Sequence, residues 1–509
     1  MAWRYNINRQ ANRDIKDNIL GALDAVEASG SFASSGEFKY QPDSLSLSPA
    51  FKVPFDIHVR ETEGIVEFPL NKDGVKKIAS QARAAPYGEG SKTIVDKNVR
   101  HTWELDAEQF ELRPKARFDA WWKDLLGKVA EGLGVDAANM IVHRYKMLLY
   151  PSGGMFKAHT DSEKEPGMFG TLVLSLPSYH KGGDVLLRHA GHKMTYNSSN
   201  NWFNWAAWYS DVRHEVRPVE KGLRWVLTFN LCTRPSPVRP SLPSAPNVER
   251  HEVAIHNALV TWLRSGSQWP YLLYELDHDY TEASVELNTL KGRDRVQARL
   301  LDKLSKKELK GEYVLFIALL EMEEHGECEF DYDHEVGSKS RYGYRAPKPP
   351  PEWHEFSEIE RSERKIQTLV DFNGEEMDSN LEFDEDNILQ KTPFAKGEKE
   401  EMGYTGYMGN YGPEATHWYR VSALVICKRH KVHELLPHWE GDEEEEQAEE
   451  ETETEGEEET EEAEEDDLVE VLPPKPAVSR PLNVRRVAVP VAGGKRKIVE
   501  IIDLTGDSD

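Results

Sequence analysis

The chain has 509 residues, 39% hydrophobic and 30% charged, with a formal net charge of −27. No run of eighteen apolar residues occurs, so no helical membrane span is expected. Three cysteines, far apart, exclude a disulfide framework or thiolate zinc cluster and point to a reducing compartment.

The charge is unevenly spread. Residues 440 to 467 hold twenty Asp and Glu and no Lys or Arg, which leaves −7 for the remainder. A segment this acidic buries too little apolar area to offset the entropy of ordering, so disorder is expected there. The mildly acidic body carries no basic stripe of the kind that grips phosphates, so nucleic acid is not an expected partner. The opening "MAWRYNINRQANRDIKDNIL" lacks the apolar core of a secretory signal, and the protein is not expected to be secreted.

In chain order, apolar residues at three-to-four spacing predict amphipathic helices over 12 to 29 and 117 to 133. A third helix is expected in "KDGVKKIASQARAAP", ended by Pro86. From residue 141 the pattern changes to eight short extended runs divided by turn residues, closing with "RWVLTFNLCT" at 224 to 233. Eight strands in so short a stretch, after helices, predict a two-sheet β-sandwich or jelly-roll barrel. The proline-rich "RPSPVRPSLPSAPN" reads as a linker. Beyond it come a helix ("VERHEVAIHNALVTWLRSG"), further strands ("EYVLFIALLEM", "KIQTLVDFN", "HWYRVSALVICKR") and a polar insert around "RAPKPPPEWHEF" that reads as a loop.

The expected organisation is therefore α+β. A helical segment spans 1–50, a catalytic region 51–233 with its core at 140–233, and a linker 234–248. An accessory α+β region covers 249–435, and a disordered tail 436–509.

The stretch "KAHTD" sets His159 and Asp161 two apart, and in a strand such residues share a face. A facing strand should add a third ligand. The candidates are His180, His189, His192 and His214, and His214 fits best because it opens the strand preceding Arg224. Two imidazoles and one carboxylate on one side of a metal leave the other side open, the arrangement of non-haem Fe(II) oxygenases. Arg224 begins an apolar strand, where a cation is costly without an anionic partner. Its guanidinium offers a bidentate fork for a carboxylate. The other three histidines are expected on loops or barrel rims, and His143 is expected to be structural. Of Trp202, Trp205, Trp208 and Trp225, only Trp208 is near enough to the iron strand to belong to the site.

H-x-D, a histidine about fifty residues on and an arginine ten beyond resemble the Fe(II)/2-oxoglutarate dioxygenase superfamily. "YPSGGMFKAHTD" resembles the Y-x-x-G-x-x-Y/F-x-x-H-x-D line of its prolyl 4-hydroxylase-like members, and "GGD" at 182 to 184 resembles the glycine pair before their fourth core strand. The resemblance covers residues 140 to 233 and implies a double-stranded β-helix. It implies iron held by His159, Asp161 and His214, and the distal carboxylate of 2-oxoglutarate bound by Arg224. It further implies a hydrogen bond from Tyr150 to that cosubstrate and a pocket lined by Thr228. Fe(2+), 2-oxoglutarate and O2 are the implied cofactors, with ascorbate as reductant. The implied reaction is oxidative decarboxylation to succinate coupled to hydroxylation of a protein side chain, proline by family analogy.

AlkB-type nucleic-acid demethylases, the first alternative, carry a second arginine six residues after the first; Asn230 stands there. The other alternative is a non-enzymatic SUMO-binding scaffold with a vestigial barrel. The C-terminal "IVEIIDLTGDSD" resembles a SUMO-interacting motif, Ile498 to Leu504 adding a strand to a partner's sheet edge. With the basic "RRVAVPVAGGKRK" it leads to a nuclear or nucleo-cytoplasmic expectation.

Overall fold

Short Val-, Leu-, Ile- and aromatic-rich runs separated by Gly, Asn and Ser favour strands joined by turns, and all eight runs between 141 and 233 are strands. The computed structural model describes residues 2–38, 53–89, 92–199, 203–234, 248–267, 269–328, 338–340, 343–345, 354–395, 401–405, 412–439, 484–491 and 495–502. Four of the eight enter a seven-stranded antiparallel sheet, in the order Ala33–Glu37, Asn204–Tyr209, Met168–Ser175, Arg224–Thr233, Met140–Tyr150, Trp103–Asp106 and Arg83–Ala84. The other four form a smaller antiparallel sheet, in the order His192–Tyr196, Val185–His189, Arg213–Val216 and Phe156–His159.

The interior strand Met168–Ser175 is buried at every residue, because both faces of the large sheet are covered. Helix Phe118–Leu133 covers one face with Phe118, Trp122, Leu125, Leu126, Val129, Ala130 and Leu133, an apolar stripe at helical spacing. Trp122 meets Phe229 there at 5.3 Å between rings. The small sheet faces the other side, with the His214 ring 4.9 Å from that of Trp208 on the large sheet.

Elsewhere the structure departs from expectation. The helix expected to run to Pro86 is Lys72–Gln81, opened by Asn71, whose side chain accepts from the Gly74 amide at 2.8 Å. It stops early because Arg83–Ala84 pairs with Trp103–Asp106. Arg83 also bridges to Glu104 at 2.9 Å and Asp106 at 2.7 Å.

The segment 1–50 is not helical alone. Helix Ala2–Asp24 is followed by strand Ala33–Glu37, which edges the large sheet beside Asn204–Tyr209. Its "ASSGE" has no apolar alternation; main-chain pairing recruits it, with Ala33 buried in the core. The helix itself belongs to the accessory region: Ile19, Leu23 and Val26 share a core with Ile255, Leu259 and Trp262 of helix Val248–Arg264. Leu23 is fully buried, so Leu23→Ala is expected to cost about 2–5 kcal/mol, read as a lowered melting temperature of the full chain.

The accessory region is built on an antiparallel sheet in the order Tyr271–Glu275, Glu414–Lys428, Tyr313–Cys328, Phe356–Val370 and Glu376–Glu382, with Glu401–Thr405 also pairing Glu414–Lys428. Helix Gly292–Lys303 packs there, burying Val296, Leu300 and Leu301 at helical spacing. Its buried polar residues sit beside that stripe. Asp294 accepts from the amides of Asp277 and His278, and Gln297 donates to the Leu23 carbonyl and the Tyr274 hydroxyl. The insert residues 346–353 lie outside the described residues.

A buried ion pair ties the two regions together. Asp211, just after strand Asn204–Tyr209, meets Lys291 at 2.8 Å and His278 Nδ1 at 2.9 Å. Burial opposes its charge, but Lys291 and His278 hold its carboxyl well below the usual range.

In the tail expected to be disordered from 436 onward, two stretches are described. Leu436 is buried in the accessory core with Trp439 against it. Strands Val484–Val491 and Lys495–Ile502 pair as an antiparallel hairpin, as their β-branched content favours. The acidic run to 467 lies outside the described residues, and so does Leu504. Cys232, Cys328 and Cys427 are buried free thiols. Among the described residues, no helix is long and apolar enough to cross a membrane.

Candidate active site

Strand pairing brings the three expected metal ligands together. His214 is the direct cross-strand partner of His159 in the small sheet, and the two rings lie 4.2 Å apart between centroids. Asp161 follows just past the strand end, where its amide donates to the Ser210 carbonyl at 2.9 Å. Its Oδ1 stands 3.8 Å from His214 Nε2, and its Oδ2 accepts from the Thr171 hydroxyl at 2.7 Å. One nitrogen or oxygen from each of the three lies within 4.8 Å of the others.

The surroundings orient these atoms. His159 Nδ1 sits 2.8 Å from the Lys157 carbonyl, and His214 Nδ1 sits 3.0 Å from that of Val212. Carbonyls only accept, so both Nδ1 atoms carry the proton and both Nε2 lone pairs are free for a metal. Burial, reinforced by His214, pushes the pKa of His159 down to about 3 and keeps it neutral. Burial also disfavours the Asp161 charge, but His214, His159 and the Thr171 hydroxyl hold its carboxyl below the usual range. Two imidazoles presenting Nε2 and a carboxylate form a donor set that suits Fe(II).

Arg224 opens strand Arg224–Thr233 of the large sheet and is only 1% exposed. Its Nε donates to the Ser198 hydroxyl at 3.0 Å, and its Nη2 is buried with no protein partner. Tyr150, its cross-strand neighbour, places its ring 5.0 Å from the guanidinium carbon. A buried guanidinium with a donor left over fits a ligand carboxylate, and 2-oxoglutarate supplies one. Tyr150 thus supports the guanidinium by stacking, a contact that the expected hydrogen bond to the cosubstrate did not include. Thr228 faces the same side of the strand as Arg224, and its hydroxyl both accepts from the Lys146 amide and donates to the Lys146 carbonyl, each at 3.2 Å.

Three residues near Arg224 have roles that sequence reasoning did not assign. Ser198, accepting from Arg224, lies 3.3 Å from His180 Nε2, and His180 Nδ1 lies 3.1 Å from the Ser178 carbonyl. The protons therefore run one way, from Arg224 to Ser198 to His180 to the main chain. Burial and the adjacent Arg224 charge push the pKa of His180 down to about 4, so it stays a neutral acceptor. It was expected on a loop or rim; instead it opens strand His180–Gly182 and orients the arginine through Ser198. Gly183 is the third. Its φ is +76°, and a Cβ there would come within 2.9 Å of Arg224 Cδ. The glycine pair of "GGD" is thus a legible signal for contact with the guanidinium. Gly183→Ala is expected to raise KM for 2-oxoglutarate about tenfold, as strain and displacement cost on the order of 1–3 kcal/mol, while metal affinity stays unchanged.

Of the other histidines, His189 stacks on His278 at 4.5 Å beside Asp211, and His192 is exposed opposite His189. His143 Nδ1 meets Glu165 at 2.5 Å, and Asn230 donates to the same carboxylate at 2.6 Å. These two groups hold the protein to itself. Trp208, by contrast, stands against His214 as the sequence anticipates.

Residues 140–232 match the family model described as the 2OG-Fe(II) oxygenase superfamily. The chain carries a 2OG-Fe(II) oxygenase domain. It is an oxidoreductase of the 2-oxoglutarate-dependent dioxygenase class, and the class brings Fe(2+), 2-oxoglutarate and O2 with it.

Solved structures similar to the chain include a prolyl-4-hydroxylase of Pseudomonas putida, at 19% identity over 32% of this chain and 83% of that one, TM-score 0.23. A Trichoplax adhaerens prolyl hydroxylase, in complex with a hypoxia inducible factor peptide fragment, is 13% identical over 46% and 93%, TM-score 0.26. A 2OG-Fe(II) oxygenase family protein of Burkholderia pseudomallei is 16% identical over 32% and 80%, TM-score 0.22. At these TM-scores the assignment of the oxygenase domain rests on the family model alone. No curated protein matches the chain.

Proposed function

We propose that the oxygenase domain is a double-stranded β-helix that hydroxylates a protein side chain, proline being the first choice, and converts 2-oxoglutarate to succinate and CO2. His159, Asp161 and His214 hold the iron in this reading, and Arg224 binds the distal carboxylate of 2-oxoglutarate. The observation that carries it is the pairing of a convergent His, Asp and His set with a buried arginine whose Nη2 lacks a protein partner. Either feature alone has structural explanations; a metal and a dicarboxylate explain both.

The iron, when bound, supplies the O2 chemistry that links decarboxylation to C–H oxidation. The chain's own residues position and enclose. The Lys157 and Val212 carbonyls fix the tautomers of His159 and His214, and Thr171 holds the second oxygen of Asp161. Ser198 aims Arg224 while Tyr150 stacks beneath it. Trp208 closes the wall behind His214 and excludes water from it.

Nucleic-acid demethylation fits less well. Asn230, where a second arginine would stand, spends its amide on Glu165. A SUMO contact through Ile498–Leu504 would have to compete with the pairing of Lys495–Ile502 to Val484–Val491, which runs along its length.

The test is succinate released from 2-oxoglutarate in the presence of Fe(II), for wild type and His159→Ala. Turnover in the wild type and loss of at least about a thousandfold in the variant are expected, since removing a metal ligand disables the centre that does the chemistry. Equal turnover by the two proteins would defeat the ligand assignment.

A further inference from the structure

A cavity of about 580 Å³ lies between the oxygenase domain and the accessory sheet. Asp161 and the segment following it line one side, and Leu319, Glu321, Gln367 and Arg420 of the accessory sheet line the other. The two walls are joined, since the Thr281 hydroxyl donates to Glu163 at 3.0 Å. A space of this size, between two domains and adjoining a proposed iron ligand, is where a substrate is expected to sit.

Its charge selects the occupant. Six carboxylates line it against two cations, Lys291 and Arg420. Both cations are already engaged within the protein: Lys291 holds Asp211 at 2.8 Å, and Arg420 holds Glu321 at 2.8 Å. Glu163 has only neutral donors in the described structure, the Gly167 amide and Thr281. Glu282 is exposed at the rim. The surplus over the whole lining is negative, so the cavity attracts cations and repels phosphates.

Resting on the function proposed above, we propose that this interdomain cavity receives the substrate as a lysine- or arginine-bearing polypeptide segment, with the accessory sheet as its second wall. The accessory region then sets which proteins reach the iron, and the oxygenase domain sets what is done to them.

The test uses the full chain and fluorescence anisotropy with three labelled probes. They are a Gly/Ser/Pro peptide with evenly spaced lysines, the same peptide with glutamates, and a single-stranded oligonucleotide. The lysine peptide is expected to bind at least about tenfold more tightly than the glutamate peptide, and more weakly as salt is added. Glu163→Lys with Glu282→Lys is expected to weaken the lysine peptide about tenfold, each reversal contributing a factor of about three. Stabilisation by metal and 2-oxoglutarate should not change. Should the double variant fold poorly, Glu282→Lys alone still decides, with about threefold weaker binding expected.

Equal binding of both peptides, an affinity that ignores the reversals, or preference for the oligonucleotide overturns the proposal. The iron assignment fails separately: a wild type that binds the lysine peptide as expected but releases no succinate refutes the metal site and leaves the cavity's role standing.

Discussion

Arg224→Leu is expected to weaken 2-oxoglutarate binding by about 30- to 3000-fold, because truncating one member of a buried charge pair costs roughly 2–5 kcal/mol. The same variant is expected to be no less stable than the wild type without ligands. Arg224 keeps a buried Nη2 with no protein partner, and replacing an uncompensated buried cation by an apolar side chain removes a desolvation cost. The opposite signs make the test sharp. A structural arginine would show the reverse pattern, a lowered melting temperature with little change in cosubstrate affinity. Arg224→Lys should fall between, keeping the charge but losing the fork and the stacking on Tyr150. Calorimetric titration with 2-oxoglutarate alongside thermal unfolding measures both quantities.

His214→Ala is the second large effect. His214 is buried, its Nδ1 held by Val212 and its Nε2 facing Asp161 Oδ1 at 3.8 Å. Loss of outer partners of a metal ligand typically costs about 10–100-fold in affinity, so loss of the ligand itself is expected to exceed about 100-fold. A metal present at a hundred times its Kd stabilises the folded chain by about 2.7 kcal/mol. Adding Fe(II), or Mn(II) as a redox-inert stand-in, should therefore raise the wild-type melting temperature by several degrees and leave that of His214→Ala unmoved. An equal rise in both proteins would place the metal elsewhere. Cosubstrate affinity separates the two variants further, since Arg224→Leu retains the metal response that His214→Ala loses.

Much of the oxygenase domain was legible before any coordinates. The eight extended runs needed only local chemistry, β-branched and aromatic residues between turn formers. The H-x-D spacing put His159 and Asp161 on one face, and an arginine opening an apolar strand raised its own question. The orienting residues left no such trace. Thr171 and Ser198 are a threonine in an apolar strand and a serine among serines, and only the hydrogen bonds to Asp161 and Arg224 distinguish them. His180 looked like a rim residue because its role depends on Ser198, eighteen positions away and brought close by the sheet. The accessory helix Gly292–Lys303 hid for a related reason, its buried polar side chains being satisfied by distant partners.

The sequence by itself determined the change from helix to strand near residue 140, the candidate ligands His159, Asp161 and His214, and the need of Arg224 for an anion. Periodicity, turn chemistry and the cost of a buried charge act over a few residues and can be read in order. Only the tertiary structure decided that His214, among four histidines, stands opposite His159, and that the Ala2–Asp24 helix packs on the accessory region while the next strand edges the large sheet. It also decided that an acidic cavity opens between the two regions. Sheet register and domain docking bring together residues tens to hundreds of positions apart, and the packing that selects them is a property of the whole folded chain.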